Sequence, residues 1–239
     1  MLRFTRISSV YPEVANIIEK EISKNNNLNY KKTLDKVFSY GFGEKNNLSK
    51  ELQKKNYKCE EIISNISFLQ KKWAKEYLKN NYNGNILLKQ IKFYQPNIIY
   101  FNNYNLLNKK LLSEIRKLNH VKLIIAFHCS PLNTQIIKKL RLVDIIVTCT
   151  DGYKQQINKM TKKKCYKIYH AFNVPNKNYE NFKNRVIDIS FIGSLYIRSG
   201  LHINRVNLIF YLLKSFKNSY IAINFSLKNI FQIIYFFFN

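Results

Sequence analysis

Two alternating rhythms of hydrophobic positions run through most of the chain. Short, nearly uniform apolar runs recur at Asn97-Ile98-Ile99-Tyr100-Phe101, Val121 to Phe127, Val143 to Cys149 and Cys165 to Tyr169. Between them, at Ile86 to Phe93, Leu106 to Leu118, Leu132 to Lys139 and Gly152 to Met160, the apolar residues return at helical spacing. Strands that are apolar on both faces, separated by amphipathic helices, predict a parallel sheet covered on both sides. The N-terminal part extends the pattern. Leu2 to Ser8 alternates as a first strand, and Tyr11-Pro12-Glu13 opens a helix to about Ser23, with proline where a missing N–H costs nothing. Tyr30 to Tyr40 predicts a second helix, and Leu48 to Lys55 a short one that feeds a strand at Tyr57 to Ile63. Phe68, Leu69, Trp73, Ala74, Tyr77 and Leu78 then mark a helix packed by its tryptophan. The expectation is an α/β fold, a doubly wound, Rossmann-like parallel sheet of six strands over residues 1–172.

A second unit begins after a polar segment, Asn173 to Arg185, that reads as a linker. Ile187 to Ile192 predicts a buried strand, Gly193-Ser194-Leu195 a turn, Ile203 to Phe216 a helix and Tyr220 to Phe225 another strand. A strand, a glycine turn and a helix form the opening of a mononucleotide-binding half, where backbone N–H groups meet phosphate. Residues 186–239 are therefore expected to be a truncated start of such a domain. The apolar segment Leu227 to Phe238 would then lack a sheet to cover, which predicts self-association or a partner chain over it.

Charge adds less than its size suggests. Forty Lys and Arg stand against 14 Asp and Glu, a formal net charge of +26 over 239 residues. Such an excess attracts polyanions, but Lys, Asn, Ile, Tyr and Phe are over-used together and the lysines are dispersed, as compositional drift would leave them. No aromatic-and-basic nucleic-acid module is present, so no specific nucleic-acid partner is expected. A hydrophobic share of 46% excludes global disorder. Cys59, Cys129, Cys149 and Cys165 form no C-x-x-C pair, which predicts four unpaired thiols, no zinc site and a reducing cytoplasm. The chain starts directly into a strand, and its greasiest stretch, Asn229 to Asn239, is too short to span a bilayer. Peripheral contact with an anionic membrane remains compatible with the charge.

In such a sheet ligands bind outside the carboxyl ends of the strands. That rule selects Ser8 and Ser9, Asn102 and Asn103, His128-Cys129-Ser130-Pro131, Thr148 to Asp151, and His170-Ala171-Phe172. His128, directly after a strand, is a candidate catalytic base or a holder of an acceptor hydroxyl; the alternative is a hydrogen-bonded turn histidine. His170 lies at the expected domain junction, as a hinge or a catalytic group. Thr150 and Asp151 are placed to cap the next helix. Gly193, lacking a Cβ, lets backbone approach a phosphate, with Ser194 beside it. His202 and Arg205 can donate to a diphosphate, unless they are an ordinary solvated helix start.

Tyr11-Pro12-Glu13, Leu52 through Ile63 (LQKKNYKCEEII) and Leu69-Gln70-Lys71-Lys72-Trp73-Ala74 resemble bacterial glycosyltransferases of the two-Rossmann, GT-B type, in the group that includes spore-maturation-like transferases. His170-Ala171-Phe172-Asn173 is similar to the end of that family's first domain, where an Asp often stands in place of Asn173. Phe191 to Leu195 with His202 and Arg205 is similar to the opening of its donor domain. The resemblance covers nearly all of residues 1–216. It implies transfer of a sugar from a nucleotide-sugar donor to a glycan or lipid-linked acceptor, without a metal or other cofactor. Gly193, Ser194, His202 and Arg205 would lie on the diphosphate side and His128 on the acceptor side. One departure matters: no Asp or Glu occurs after Asp188, whereas donor domains of this family carry a late carboxylate for the ribose or hexose. A chain weakly active or inactive alone is the consequence. The rival readings are a non-catalytic α/β binding module and a basic polyanion binder. The last has a direct check. Any nucleic-acid binding should collapse as salt rises from low to physiological strength and show no sequence preference in a competition assay; a salt-resistant, sequence-selective complex would contradict this.

Overall fold

The protein is described by a computed structural model over residues 1–24, 27–41, 45–78, 84–169, 186–194 and 203–224. The chain divides into two compact units, Met1–Asn173 and Val174–Asn239.

In the first unit β1 (Arg3–Ser8) leads into α1 (Pro12–Ser23), α2 (Tyr30–Ser39) and α3 (Asn47–Gln53) before β2 (Lys58–Ile63). Then α4 (Ser67–Leu78) and α5 (Ile86–Tyr94) precede β3 (Ile98–Phe101), and a 3-10 turn (Tyr104–Leu106) and α6 (Lys109–Arg116) precede β4 (Leu123–Phe127). The unit closes with α7 (Thr134–Leu140), β5 (Ile145–Thr148), α8 (Asp151–Thr161) and β6 (Lys164–Lys167). The strands form a six-stranded sheet in the order β2-β1-β3-β4-β5-β6. Every pairing is parallel. Flanked by helices, this is the doubly wound, Rossmann-like arrangement that the alternating apolar runs predict.

Helix starts follow local chemistry. Asn29, Asn85, Asn108, Asn133 and Thr150 each accept a backbone N–H from the third residue on, an N-cap in each case. Asn108 also explains a difference from the sequence reading. The single helix expected over Leu106 to Leu118 is a 3-10 turn followed by a helix that begins only after this cap, because the asparagine side chain satisfies the N–H of Leu111. Two helices take their N-terminal acceptors from neighbours: Glu19 accepts from Phe68 N at 2.7 Å, and Glu76 accepts from Tyr30 N. A carboxylate at a helix N-terminus is favoured by the exposed N–H dipoles.

The main core lies on one sheet face, where Ile7, Ile62, Ile99, Phe101, Ile124, Ala126 and Ile146 meet Ile91, Leu111, Leu112, Ile115, Ile136, Leu140 and Ile157 from α5 to α8. On the other face Phe4, Cys59, Tyr100 and Val147 are buried with Leu52 from α3 against them. Beyond the β2 edge, α1, α2 and α4 pack around the fully buried Trp73, whose Nε1 donates to Tyr94 Oη at 2.8 Å. Beside Cys59 runs a buried polar pin. Arg6 Nε donates to Glu61 at 2.7 Å, Ser49 Oγ donates to the other carboxylate oxygen at 2.5 Å, and Arg6 Nη2 donates to Lys45 O at 2.6 Å. Burial pushes the Glu61 carboxyl up while the guanidinium and hydroxyl draw it back.

The second unit pairs β7 (Ile189–Ser194) parallel to β8 (Ser219–Asn224), with α9 (Ile203–Ser215) between them in sequence. Val206 and Ile209 of α9 are buried against Phe191, Ile221 and Ile223. Here the sequence reading is corrected. Gly193 and Ser194 are not in a turn; they continue β7, opposite Ile223 and Asn224, because the ladder with β8 extends past the apolar run. The expected linker (Asn173 to Arg185) and the apolar segment Leu227 to Phe238 lie outside the described residues.

Removing one member of a buried, hydrogen-bonded ion pair strands the other charge at a cost of about 3–5 kcal/mol. Arg6→Met should therefore lower unfolding free energy by roughly that amount. The double replacement Arg6→Met with Glu61→Leu should recover most of the loss in urea titrations; a single variant as stable as the parent would remove the pin from the account.

Candidate functional site

All six strands end at one edge, and there Ser8 and Ser9, Asn102 and Asn103, His128 and Thr148 gather, while His170-Ala171-Phe172 lies outside the described residues. The connection after β1 runs to β2 on one side and the connection after β3 runs to β4 on the other, so the crevice at the carboxyl ends of β1 and β3 is the topological switch point of this sheet. Asn103 Nδ2 donates to Ser9 Oγ at 3.0 Å across it. Backbone bonds fix both sides: Asn102 N donates to Ile7 O at 2.9 Å, and the Asn65 amide clamps Val10 by accepting from its N at 3.0 Å and donating to its O at 2.7 Å. Asn65 is a positioning residue that sequence reading missed; its only signal was an asparagine just past a strand. Ser8 itself points into the protein, fully buried, its hydroxyl without a partner among the described residues.

His128 stands past β4 and is 1% exposed. Its N donates to Val147 O at 2.9 Å, and the register Phe127↔Val147 carried one step further sets His128 beside Thr148. The ring meets Tyr104 edge to face with centroids 4.8 Å apart. Nε2 lies 2.9 Å from Ser130 O. A carbonyl only accepts, so Nε2 carries the proton and the neutral ring presents its lone pair at Nδ1. Burial holds the imidazole below its usual value, with the Ser130 carbonyl opposing in the other direction. Nδ1 and Thr148 Oγ1 are both enclosed and unpartnered among the described residues, an acceptor and a donor on adjacent strands. The arrangement can take a proton or hold a hydroxyl at Nδ1 once a group reaches it. In its present position the imidazole is enclosed instead of lying open in a cleft.

Next to His128 the structure overturns one expectation. Cys129 and Cys149 are joined as a disulfide, with Cα atoms 5.9 Å apart, whereas Cys59 and Cys165 are free and buried. The pairing arises from strand register across a separation of 20 residues, which no local spacing reveals. Thr150 caps α8 as expected, while Asp151 is the first helical residue and pairs with Lys167. Among the described residues no group of His, Cys, Asp and Glu is placed to hold a metal ion, and no helix is long and apolar enough to cross a membrane.

In the second unit, a Cβ on Gly193 would stand 3.1 Å from Phe191 Cζ, so the missing side chain makes room for that ring. The Arg205 guanidinium lies 6.0 Å from the centroid of the same ring. Gly193, Phe191 and Arg205 are thus brought together, and Ser194 follows in β7. His202, like His170, lies outside the described residues. A separate cavity of about 490 Å³ opens at the β2 edge, lined by Tyr30, Lys31, Glu60, Tyr77 and Tyr94 among others, away from the switch point.

No protein-family model matches the chain, and no curated protein matches it.

A histidine whose folded value is lowered stabilises the fold above its ordinary value, near 6.5, and that contribution is lost as pH falls through the lowered one. Unfolding free energy should accordingly drop as pH falls below about 6.5. His120, also lowered by burial and by Arg3 and Lys122, contributes in the same window. His128→Gln should flatten the His128 share of that slope in urea titrations across the range; an unchanged slope would place the ring in water.

Proposed function

We propose that the chain carries the acceptor-side domain of a glycosyltransferase and the opening of its nucleotide-sugar domain. It would move a sugar from a nucleotide-sugar donor to a glycan or lipid-linked acceptor. The observation that carries this reading is the succession of two parallel α/β units, the first with its polar groups collected at the switch-point edge. A saccharide hydroxyl meets complementary chemistry there: the Ser9–Asn103 pair to orient it, and the Nδ1 lone pair of His128 to accept its proton. In the second unit Arg205, in the first turn of α9, is a cation for a diphosphate next to a strand whose Gly193 carries no side chain. Basic side chains and helix N–H groups suffice in principle to stabilise a leaving diphosphate.

The family's remaining requirement is a carboxylate for the ribose or hexose, and residues 189–239 contain none. Holding donor and acceptor together accounts for roughly 7–11 kcal/mol of barrier lowering in such reactions, so weak donor binding by this chain means little transfer. A binding module without transfer is the second reading, and the enclosure of His128 favours it.

Two measurements on the full chain test the proposal. Saccharides should shift the NMR signals of Ser9, Asn103 and His128; a broad panel that leaves all three unmoved would sink the acceptor assignment. Calorimetry with nucleotide sugars should give binding on the order of millimolar or weaker, little changed by Arg205→Ala. Micromolar affinity for one donor, abolished by that substitution, would show a complete donor site in this chain.

A further inference from the structure

Cys129 and Cys149 occupy the strand-end loops after β4 and β5, each one residue beyond His128 and Thr148. We propose that these two cysteines are a reversible thiol modification site, closed and opened by exchange with low-molecular-weight disulfides and thiols, and that the closed form holds His128 in its enclosed position.

Three observations support this. First, the sheet presets the geometry. The register of β4 on β5 and the bond from His128 N to Val147 O fix the two backbones, and a Cα separation of 5.9 Å lies within the span that a disulfide bridges. Closure and opening need no strand to move. Second, both residues are half-buried at the sheet edge, within reach of a small reagent, whereas Cys59 and Cys165 are buried. Burial also pushes those two thiols up, Cys165 to about 11, which keeps them protonated and inert. Third, Cys129 sits between His128 and the residue that anchors it. Ser130 O takes the Nε2 proton, so one three-residue segment carries the ring, the sulfur and the anchor. With the bridge closed that segment is tied to the end of β5. With the bridge open the ring keeps its contacts with Ser130 and Tyr104 but loses the tie to β5, and Nδ1, which has no partner among the described residues, gains one in water by turning outward.

The exchange balances in two steps. One cysteine thiolate attacks oxidised glutathione, giving a mixed disulfide and one glutathione thiolate. The second cysteine thiolate then displaces the other glutathione, so the protein gives up two electrons and two protons while one glutathione disulfide becomes two thiols. Dithiothreitol reverses it and is oxidised to its cyclic disulfide. The inference shares only the position of His128 with the sugar-transfer reading and stands or falls separately.

The test uses the full chain equilibrated at a series of ratios of reduced to oxidised glutathione, acid-quenched, denatured and alkylated. Two alkylated cysteines, Cys59 and Cys165, are expected at the oxidising end and four at the reducing end, with a peptide linking Cys129 to Cys149 only in the former. The His128 ring resonances should differ between the two forms, the reduced form showing faster solvent exchange. The double variant Cys129→Ser with Cys149→Ser should give the reduced spectrum at every ratio; if it fails to fold, reduced wild-type protein supplies the same comparison. Four free thiols throughout, or a bridge that dithiothreitol does not open in the folded protein, would overturn the exchange. Identical His128 resonances in the two forms would overturn the coupling.

Discussion

Because all strands of the first unit run parallel, every strand-to-helix loop leaves from the same edge, and this one constraint decides where its chemistry can be. Ser9, Asn103, His128 and Thr148 are far apart in sequence, yet each follows or ends a strand and so arrives at a common rim. The order β2-β1-β3 adds the crevice, since the loop after β1 leaves toward β2 and the loop after β3 leaves toward β4. The β3→β4, β4→β5 and β5→β6 connections all step in one direction, and right-handed crossovers place α6, α7 and α8 on one face. That face is the main core. The opposite face, with Ile98, Ile125, Phe127 and Ile145 only partly buried, is covered chiefly where α3 lies on β2.

Two sets of buried polar groups in the first unit contrast with each other. Toward the β2 edge, Arg6, Glu61 and Ser49 satisfy one another, and the chain gains a fixed register between β1, β2 and the segment before α3. At the carboxyl rim the opposite holds: among the described residues Ser8 Oγ, His128 Nδ1 and Thr148 Oγ1 are enclosed and unanswered. An unanswered buried group costs about 1–3 kcal/mol, so three along one rim are expensive for a fold to keep without use. The first set holds the sheet in place. The second set is what a ligand would satisfy, and Tyr30 Oη beside the Glu60 cavity, both amide atoms of Gln90 and His120 Nε2 are likewise unanswered among the described residues.

The sheet was legible in the sequence because a buried parallel strand must be apolar on both faces, and runs such as Ile98 to Phe101 or Ile145 to Thr148 serve no other element as well. Helix starts were less so. Asn108 and Asn133 cap their helices, but the leucines before them, Leu106 and Leu132, continue the helical periodicity and pull the expected starts three and two residues too early. The rim residues followed from topology alone. What could not be read was anything set by contact between strands: the Cys129–Cys149 bridge, the proton on Nε2 of His128, or the Asn65 clamp on Val10. Gly193 misled for a related reason. A glycine after an apolar run suggests a turn, whereas here the run pairs further with β8 and the glycine gives space to Phe191.

The last carboxylate of the chain bears on what the second unit can bind. Asp188 accepts from Asn218 N at 3.2 Å while its own N donates to Asn218 O at 2.9 Å, a reciprocal clasp at the start of β7 and β8. That oxygen is occupied with structure, and from residue 189 onward every charged side chain is a cation. On the proposed reading, a unit of this charge would attract a diphosphate through its cations, with no carboxylate to accept from a ribose or hexose hydroxyl. On the sugar-transfer reading proposed above, selectivity would come from the rim of the first sheet, where Asn103, Ser9 and the His128 lone pair have defined directions.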